Sequence, residues 1–193
     1  MKIHNIFNNF LATDTIILPD NKNLAEYCLT KINADSRYIE KNTKQSFFLD
    51  VNDVELSNLV SFIHNKLEGL REYLGIRSDL SQRIIEMWIN VDGNKNINVT
   101  HCHPNRFLSG VFYVAAEENH SEIKFVTPIA NHCYVLTSSL IEQYNEFNSS
   151  EWTVNPKTGT LLIFPSWLQH YVNIKNNEKQ RISLAFNTML DGF

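Results

Sequence analysis

Gly159-Thr160-Leu161-Leu162-Ile163-Phe164-Pro165-Ser166-Trp167-Leu168-Gln169-His170, with Arg181-Ile182-Ser183-Leu184-Ala185-Phe186-Asn187 eleven residues beyond the histidine, is the stretch from which the fold can be read. Gly159 marks a turn, and Leu161 to Phe164 is a continuous apolar run of strand length. Pro165-Ser166 breaks it, and His170 opens the next strand. In the second string Arg181, Ser183 and Ala185 share one strand face, and Ile182, Leu184 and Phe186 share the other, because side chains alternate along a strand. An arginine turned inward on so apolar a strand requires an anionic partner, since a buried charge without one is strongly disfavoured. Its planar guanidinium suits a carboxylate, and the Ser183 hydroxyl can donate a second hydrogen bond to the same group.

Upstream, His101 and His103 stand two apart after an Asn-rich turn, and Pro104 then stops regular pairing. On a strand this spacing sends both imidazoles to one face. A lone pair of this kind is a weak signal. Here a third imidazole, His170, follows 67 residues after His103. Neutral imidazoles suit iron(II), and iron that activates oxygen needs a facial set of three protein ligands with positions left open. Two ligands from one segment and one from a distant strand can form such a face when a sheet closes on itself.

The flanking sequence supports that closure. Ile84 to Val91, Leu108 to Ala115, Ile123 to Val126, Tyr134 to Leu136, Trp152 to Val154, Thr160 to Phe164, Tyr171 to Ile174 and Ile182 to Phe186 read as short strands separated by Asn, Gly, Pro and Asp. Residues 1–83 differ. Ile3 to Phe7 and Thr15 to Leu18 are β-prone, Ser46 to Leu49 is a short apolar run, and Asn23 to Ile32 is weakly helical. Val54 to Leu74 is the clearest helix: Val54, Leu59, Phe62, Ile63, Leu67, Leu70 and Leu74 recur at three- and four-residue steps. Asn52 and Glu55 have capping-box spacing, and Gly75 stands where a helix C-terminus favours glycine. The expected fold is mainly β: one domain over residues 1–193, with a double-stranded β-helix (jelly-roll) core over 84–190 buttressed by N-terminal helices.

Composition narrows the function. Seventeen Lys and Arg against 21 Asp and Glu leave a net charge of −4, with no basic excess to suggest a nucleic-acid partner. No apolar run approaches the roughly 20 residues needed to span a bilayer. Met1 to Leu18 lacks the pattern of a signal peptide. Three widely spaced cysteines, Cys28, Cys102 and Cys133, argue against a disulfide framework and fit a reducing, cytoplasmic setting.

Taken together, Asn90, His101-Cys102-His103-Pro104-Asn105 and Leu108 to Val114 resemble the front half of the 2-oxoglutarate/iron(II) oxygenases of the prolyl-4-hydroxylase-like superfamily. The resemblance is to a small group common in marine bacteria and their phages. Pro156, Gly159, Leu161 to His170 and Arg181 to Asn187 resemble the back half, so the similarity runs from about Trp88 to Asn187. It implies iron(II) and 2-oxoglutarate as cofactors, with oxygen and an unidentified substrate as partners. It implies that His101 and His170 take the places of two metal histidines and that Arg181 grips the far carboxylate of 2-oxoglutarate, with Ser183 beside it. Tyr113 and Asn90 are further candidates for contact with the cosubstrate, although Tyr113 reads equally well as a core aromatic.

The sequence departs from the superfamily at the third ligand, where His-x-Asp or His-x-Glu is usual and His103 stands instead. Three neutral ligands would leave iron less compensated. A shifted register with His103 and Asn105, or two histidines completed by water, are the other readings of this motif. Two other functions fit the same residues: a non-catalytic jelly-roll binding module, and a cupin-like three-histidine dioxygenase that needs no 2-oxoglutarate. Arg181 and Ser183 speak against the latter, which has no use for a dicarboxylate clamp. His4, His64, His120 and His132 carry no assigned role. Phe107, Trp152 and Trp167 are candidates either for a substrate mouth or for the core. A homodimer is open.

Overall fold

A computed structural model describes residues 1–2, 9–40, 43–92, 98–117, 120–129, 137–172 and 180–192. The elements run β1 (Ala12–Thr15), α1 (Asn21–Ala34), β2 (Ser36–Glu40), β3 (Thr43–Ser46), a 3-10 turn (Val54–Leu56) and α2 (Ser57–Tyr73). They continue with β4 (Gln82–Asp92), β5 (Asn98–His101), β6 (Leu108–Ala115), β7 (Ile123–Val126), β8 (Glu151–Val154), β9 (Thr160–Pro165), β10 (His170–Val172) and β11 (Arg181–Leu190). Among the described residues they form a seven-stranded sheet, β1-β9-β6-β11-β4-β3-β2, and a four-stranded sheet, β5-β10-β7-β8. All pairings are antiparallel. The fold is mainly β, with the two-sheet arrangement of a jelly roll.

β6 and β9 of the large sheet carry apolar runs because both of their faces are covered. Leu161 and Ile163 of β9, and Phe112 and Val114 of β6, join one core; Leu162 and Phe164, with Val111 and Tyr113, join a second. The first core also holds Leu24, Cys28 and Ile32 of α1 and Leu59, Ile63 and Leu67 of α2, two stripes at four-residue spacing. The second holds Ile123 and Phe125 of β7 and Val172 of β10, and so lies between the sheets. β11 divides its side chains in the same way. Ile182, Leu184 and Phe186 belong to the helix-side core, while Arg181, Ser183 and Ala185 line the cavity between the sheets.

Several expected boundaries move, each for a physical reason. The first described strand is Ala12–Thr15 rather than a run from Thr15 to Leu18. Its partner β9 begins at the Gly159 turn, so pairing ends where Ile16 N–H donates to the Gly159 carbonyl at 2.9 Å. The long helix is entered through the 3-10 turn, and the cap is Asp53, whose side chain accepts from the Glu55 N–H; Asn52 instead hydrogen-bonds Asp50. Its C-terminus is as expected: Gly75 has φ +68°, its N–H reaches the Glu72 carbonyl, and the Ile76 N–H reaches that of Arg71. The front of the chain does more than buttress, because β1, β2 and β3 extend the large sheet at both edges. The expected strands at Ile3 to Phe7 and Tyr134 to Leu136 lie outside the described residues, as do His4 and His132.

Close packing across β6 and β11 makes Gly110 a sensitive position. A Cβ there would sit 2.2 Å from the Phe186 ring and 2.8 Å from the Leu162 carbonyl oxygen. Gly110→Ala is expected to cost about 1–3 kcal/mol by overpacking, read as a lower urea midpoint with an unchanged slope.

Candidate metal centre and cosubstrate pocket

β5 and β10 are neighbours, and their register sets His101 directly opposite His170. β5 ends at His101, so His103 does not reach the site by strand alternation. Its backbone N–H instead donates to the Ser166 carbonyl at 2.8 Å, which ties the segment after β5 to the turn between β9 and β10. The ring centroids of His101 and His170 are 4.4 Å apart, and that of His103 lies 5.2 Å and 5.3 Å from them. One ring nitrogen from each histidine falls within 4.8 Å of the others, and among the described residues this is the group able to hold a metal ion. Asn105 is exposed, has φ +60°, and serves the turn after Pro104 rather than this cluster.

The donors suit a cation. His101 Nδ1 and His170 Nδ1 stand 2.8 Å and 2.9 Å from the carbonyls of Val99 and Leu168. An Nδ1–H donated to a carbonyl leaves the Nε2 lone pair for a metal and fixes the ring. His170 is also wedged between Phe164 and Phe125, at centroid distances of 4.8 Å and 6.0 Å. Burial among these groups, with His101 adjoining, pushes its pKa down to about 3. For the same reasons the pKa of His103 falls to about 4. Both imidazoles are therefore neutral at ordinary pH, the form that ligates.

His103 is held differently. Asn187 Nδ2 lies 3.4 Å from its Nδ1, at the long limit of a hydrogen bond, and donates to Glu86 Oε2 at 2.7 Å. The Ser109 hydroxyl donates to the Asn187 carbonyl oxygen at 2.7 Å. Arg106 pairs with Glu86, and its hydrogen bonds hold that carboxylate below the ordinary range. On the open side, Trp88 packs 5.7 Å from His103 and the exposed Phe48 ring packs 6.0 Å from Trp88.

The histidines open into a cavity of about 280 Å³ between the sheets, also lined by Asn90, Asp92, Tyr113, Arg181 and Ser183. All four expected cosubstrate residues thus share one space with all three expected ligands. Arg181 is 5% exposed and faces Asp92, its cross-strand partner on β4. Its Nε and Nη2 both donate to Asp92 Oδ2, and its Nη1 donates to the Ser121 carbonyl at 2.7 Å. Burial opposes the guanidinium charge, but the Asp92 carboxylate more than offsets this and holds the cation above its ordinary pKa. The Tyr113 ring lies 5.6 Å from the guanidinium carbon, and burial pushes its phenol up to about 12, so it remains a hydrogen-bond donor. Asn90 accepts from Gln45 Nε2 at 3.1 Å.

Asp92 escaped the sequence reading, although Trp88, Asn90 and Asp92 fall on one strand face by simple alternation. Trp88 and Gln45, which also line the cavity, were missed as well. None of the proposed mouth aromatics lines it. Phe107 packs on the helix-side core, Trp152 lines a separate hollow with Phe125 and Leu168, and Trp167 is exposed after β9. His120 is buried, and its Nδ1 accepts from the Glu117 N–H.

Three clustered imidazoles opening into a cavity with a buried arginine, between the two sheets of a jelly roll, form a candidate metal and cosubstrate site. Residues 86–187, more than half of the chain, match the family described as "Putative 2OG-Fe(II) oxygenase", and the chain belongs to that family. It is an oxidoreductase that uses iron(II), 2-oxoglutarate and oxygen. No curated protein matches it in sequence. Solved structures share its fold. A Pseudomonas putida prolyl-4-hydroxylase is 14% identical with a TM-score of 0.63, over 92% of this chain and 91% of that one. The viral collagen prolyl hydroxylase of Paramecium bursaria Chlorella virus-1, solved with 2-oxoglutarate, is 12% identical with a TM-score of 0.57, over 92% and 94%. HygX from Streptomyces hygroscopicus, solved with nickel and 2-oxoglutarate, is 10% identical with a TM-score of 0.63, over 92% and 82%.

Metal-free protein should be acid-sensitive. The imidazoles of His103 and His170 bind protons less readily folded than unfolded, so the unfolded chain takes them up first as pH falls. Stability should be intact above the ordinary histidine value of 6.5 and fall progressively towards pKa values of about 4 and 3. In urea unfolding with a chelator present, His170→Gln should flatten this dependence by up to about 1.4 kcal/mol per pH unit.

Proposed function

We propose that the enzyme hydroxylates a C–H bond on a peptide or protein side chain, proline being the nearest analogy, or on a small metabolite. In this reading His101, His103 and His170 hold iron(II), while Arg181, Ser183, Tyr113 and Asn90 receive 2-oxoglutarate. The observation that carries it is the shared cavity: three histidine nitrogens at one end and a buried guanidinium at the other, between the two sheets.

Iron bound there would supply oxygen activation coupled to the decarboxylation of 2-oxoglutarate to succinate. The chain supplies placement and dryness. His101 and His170 keep lone pairs available because their other nitrogens donate to carbonyls. Arg181 and the protonated Tyr113 present donors to the distal carboxylate of the cosubstrate, and Ser183 stands on the same face of β11. The donors of Arg181, Tyr113 and Ser183 would hold one end of 2-oxoglutarate while the three histidines would hold the iron that takes the other, which is worth more than affinity alone because it would orient the reacting atoms. Trp88 and the exposed Phe48 form an apolar shelf beside His103 on which a substrate could rest. The free thiols of Cys28 and Cys102 support a reducing, cytoplasmic setting.

Anaerobic titration with iron(II) and then 2-oxoglutarate tests the assignment through the visible metal-to-ligand charge-transfer band. The band should form in the wild type and be lost in His103→Ala; its survival would leave a two-histidine site completed by water. Arg181→Ala should weaken 2-oxoglutarate on the order of a hundredfold with little change in iron affinity. Equal losses of both would remove the clamp.

A further inference from the structure

We propose that Asp92 sets the affinity and selectivity of the cosubstrate pocket by neutralising Arg181 before any cosubstrate arrives. This rests on Arg181 being the residue that meets the distal carboxylate. Arg181 and Asp92 are cross-strand partners on β11 and β4, both about 95% buried, and both line the cavity that holds the three histidines. One oxygen, Asp92 Oδ2, takes both Nε and Nη2, and the Ser121 carbonyl takes Nη1. A guanidinium carries five N–H donors, so one remains on each terminal nitrogen for a further acceptor.

The pairing changes what a distal carboxylate contributes. Were Arg181 unpaired, a cosubstrate without that group would leave a buried cation uncompensated, and the pocket would reject it strongly. With Asp92 in place, the same cosubstrate leaves an intact buried ion pair. The distal carboxylate then adds hydrogen bonds to a site whose charge is already balanced, and it meets the Asp92 carboxylate as a like-charged neighbour.

The test is anaerobic calorimetric titration of the iron(II)-loaded protein with 2-oxoglutarate and with 2-oxopentanoate, the five-carbon keto acid that lacks the distal carboxylate. In the wild type the two dissociation constants should differ by less than about thirtyfold, because the distal carboxylate adds hydrogen bonds to an already balanced ion pair. A larger ratio overturns the proposal, and this measurement needs no variant to fold. Asp92→Asn keeps an acceptor for Nε but removes the charge. It should bind 2-oxoglutarate more tightly and 2-oxopentanoate more weakly, so that the ratio widens; weaker or unchanged 2-oxoglutarate binding counts against the proposal. Arg181→Ala separates the two readings. If it leaves 2-oxoglutarate affinity intact, the clamp itself is wrong. If it weakens binding while Asp92→Asn fails to tighten it, the clamp stands and the role of Asp92 falls.

Discussion

Everything at the metal centre depends on the pairing of β5 with β10. His101 sits opposite His170 because the two strands lie side by side in the small sheet with that register. A slip of one residue would turn one imidazole to the other face. The third imidazole arrives by a different route, through the main-chain hydrogen bond from His103 to Ser166. The break at Pro165-Ser166 therefore does more than end β9, because it supplies the carbonyl that anchors the segment carrying His103.

Burial then decides the chemistry of these groups. Phe164 and Phe125 crowd His170, and Trp88 covers His103, so the protonated forms are disfavoured and the imidazoles stay neutral. A buried guanidinium would be costly without a partner, and Asp92 supplies one to Arg181. A buried pair of this kind is poor evidence for stability, since desolvation offsets much of the attraction. Its value lies in holding a cation ready in a place where water cannot.

Most of the candidate site residues were legible because each broke a local pattern. His101, His103 and His170 interrupt β-prone runs, and Arg181 and Ser183 sit on the polar face of an otherwise apolar strand. Tyr113 and Asn90 also line the cavity, although in the sequence Tyr113 read equally well as a core aromatic. Asp92 was not legible, because an acidic residue beside a glycine at a strand end reads as a turn. Trp88 looked like one more apolar strand residue, and Gln45 lies on a short strand, β3, whose neighbour β4 is far away in sequence. Helix capping slipped by one position, from Asn52 to Asp53, because both residues have side chains able to cap and only the path of the chain chooses between them.

By itself the sequence determined the class of fold, the family, and the two strings of residues that meet in the cavity, since strand alternation and local turn chemistry act over a few neighbours. What surrounds those residues was decided only in three dimensions. That His103 leaves the strand, that Asp92 faces Arg181, and that Trp152 turns to a separate hollow all follow from which strands lie side by side. Those pairings join positions far apart in the chain, 89 residues in the case of Asp92 and Arg181. No local periodicity encodes a separation of that length, because it is set by the closing of one sheet over another.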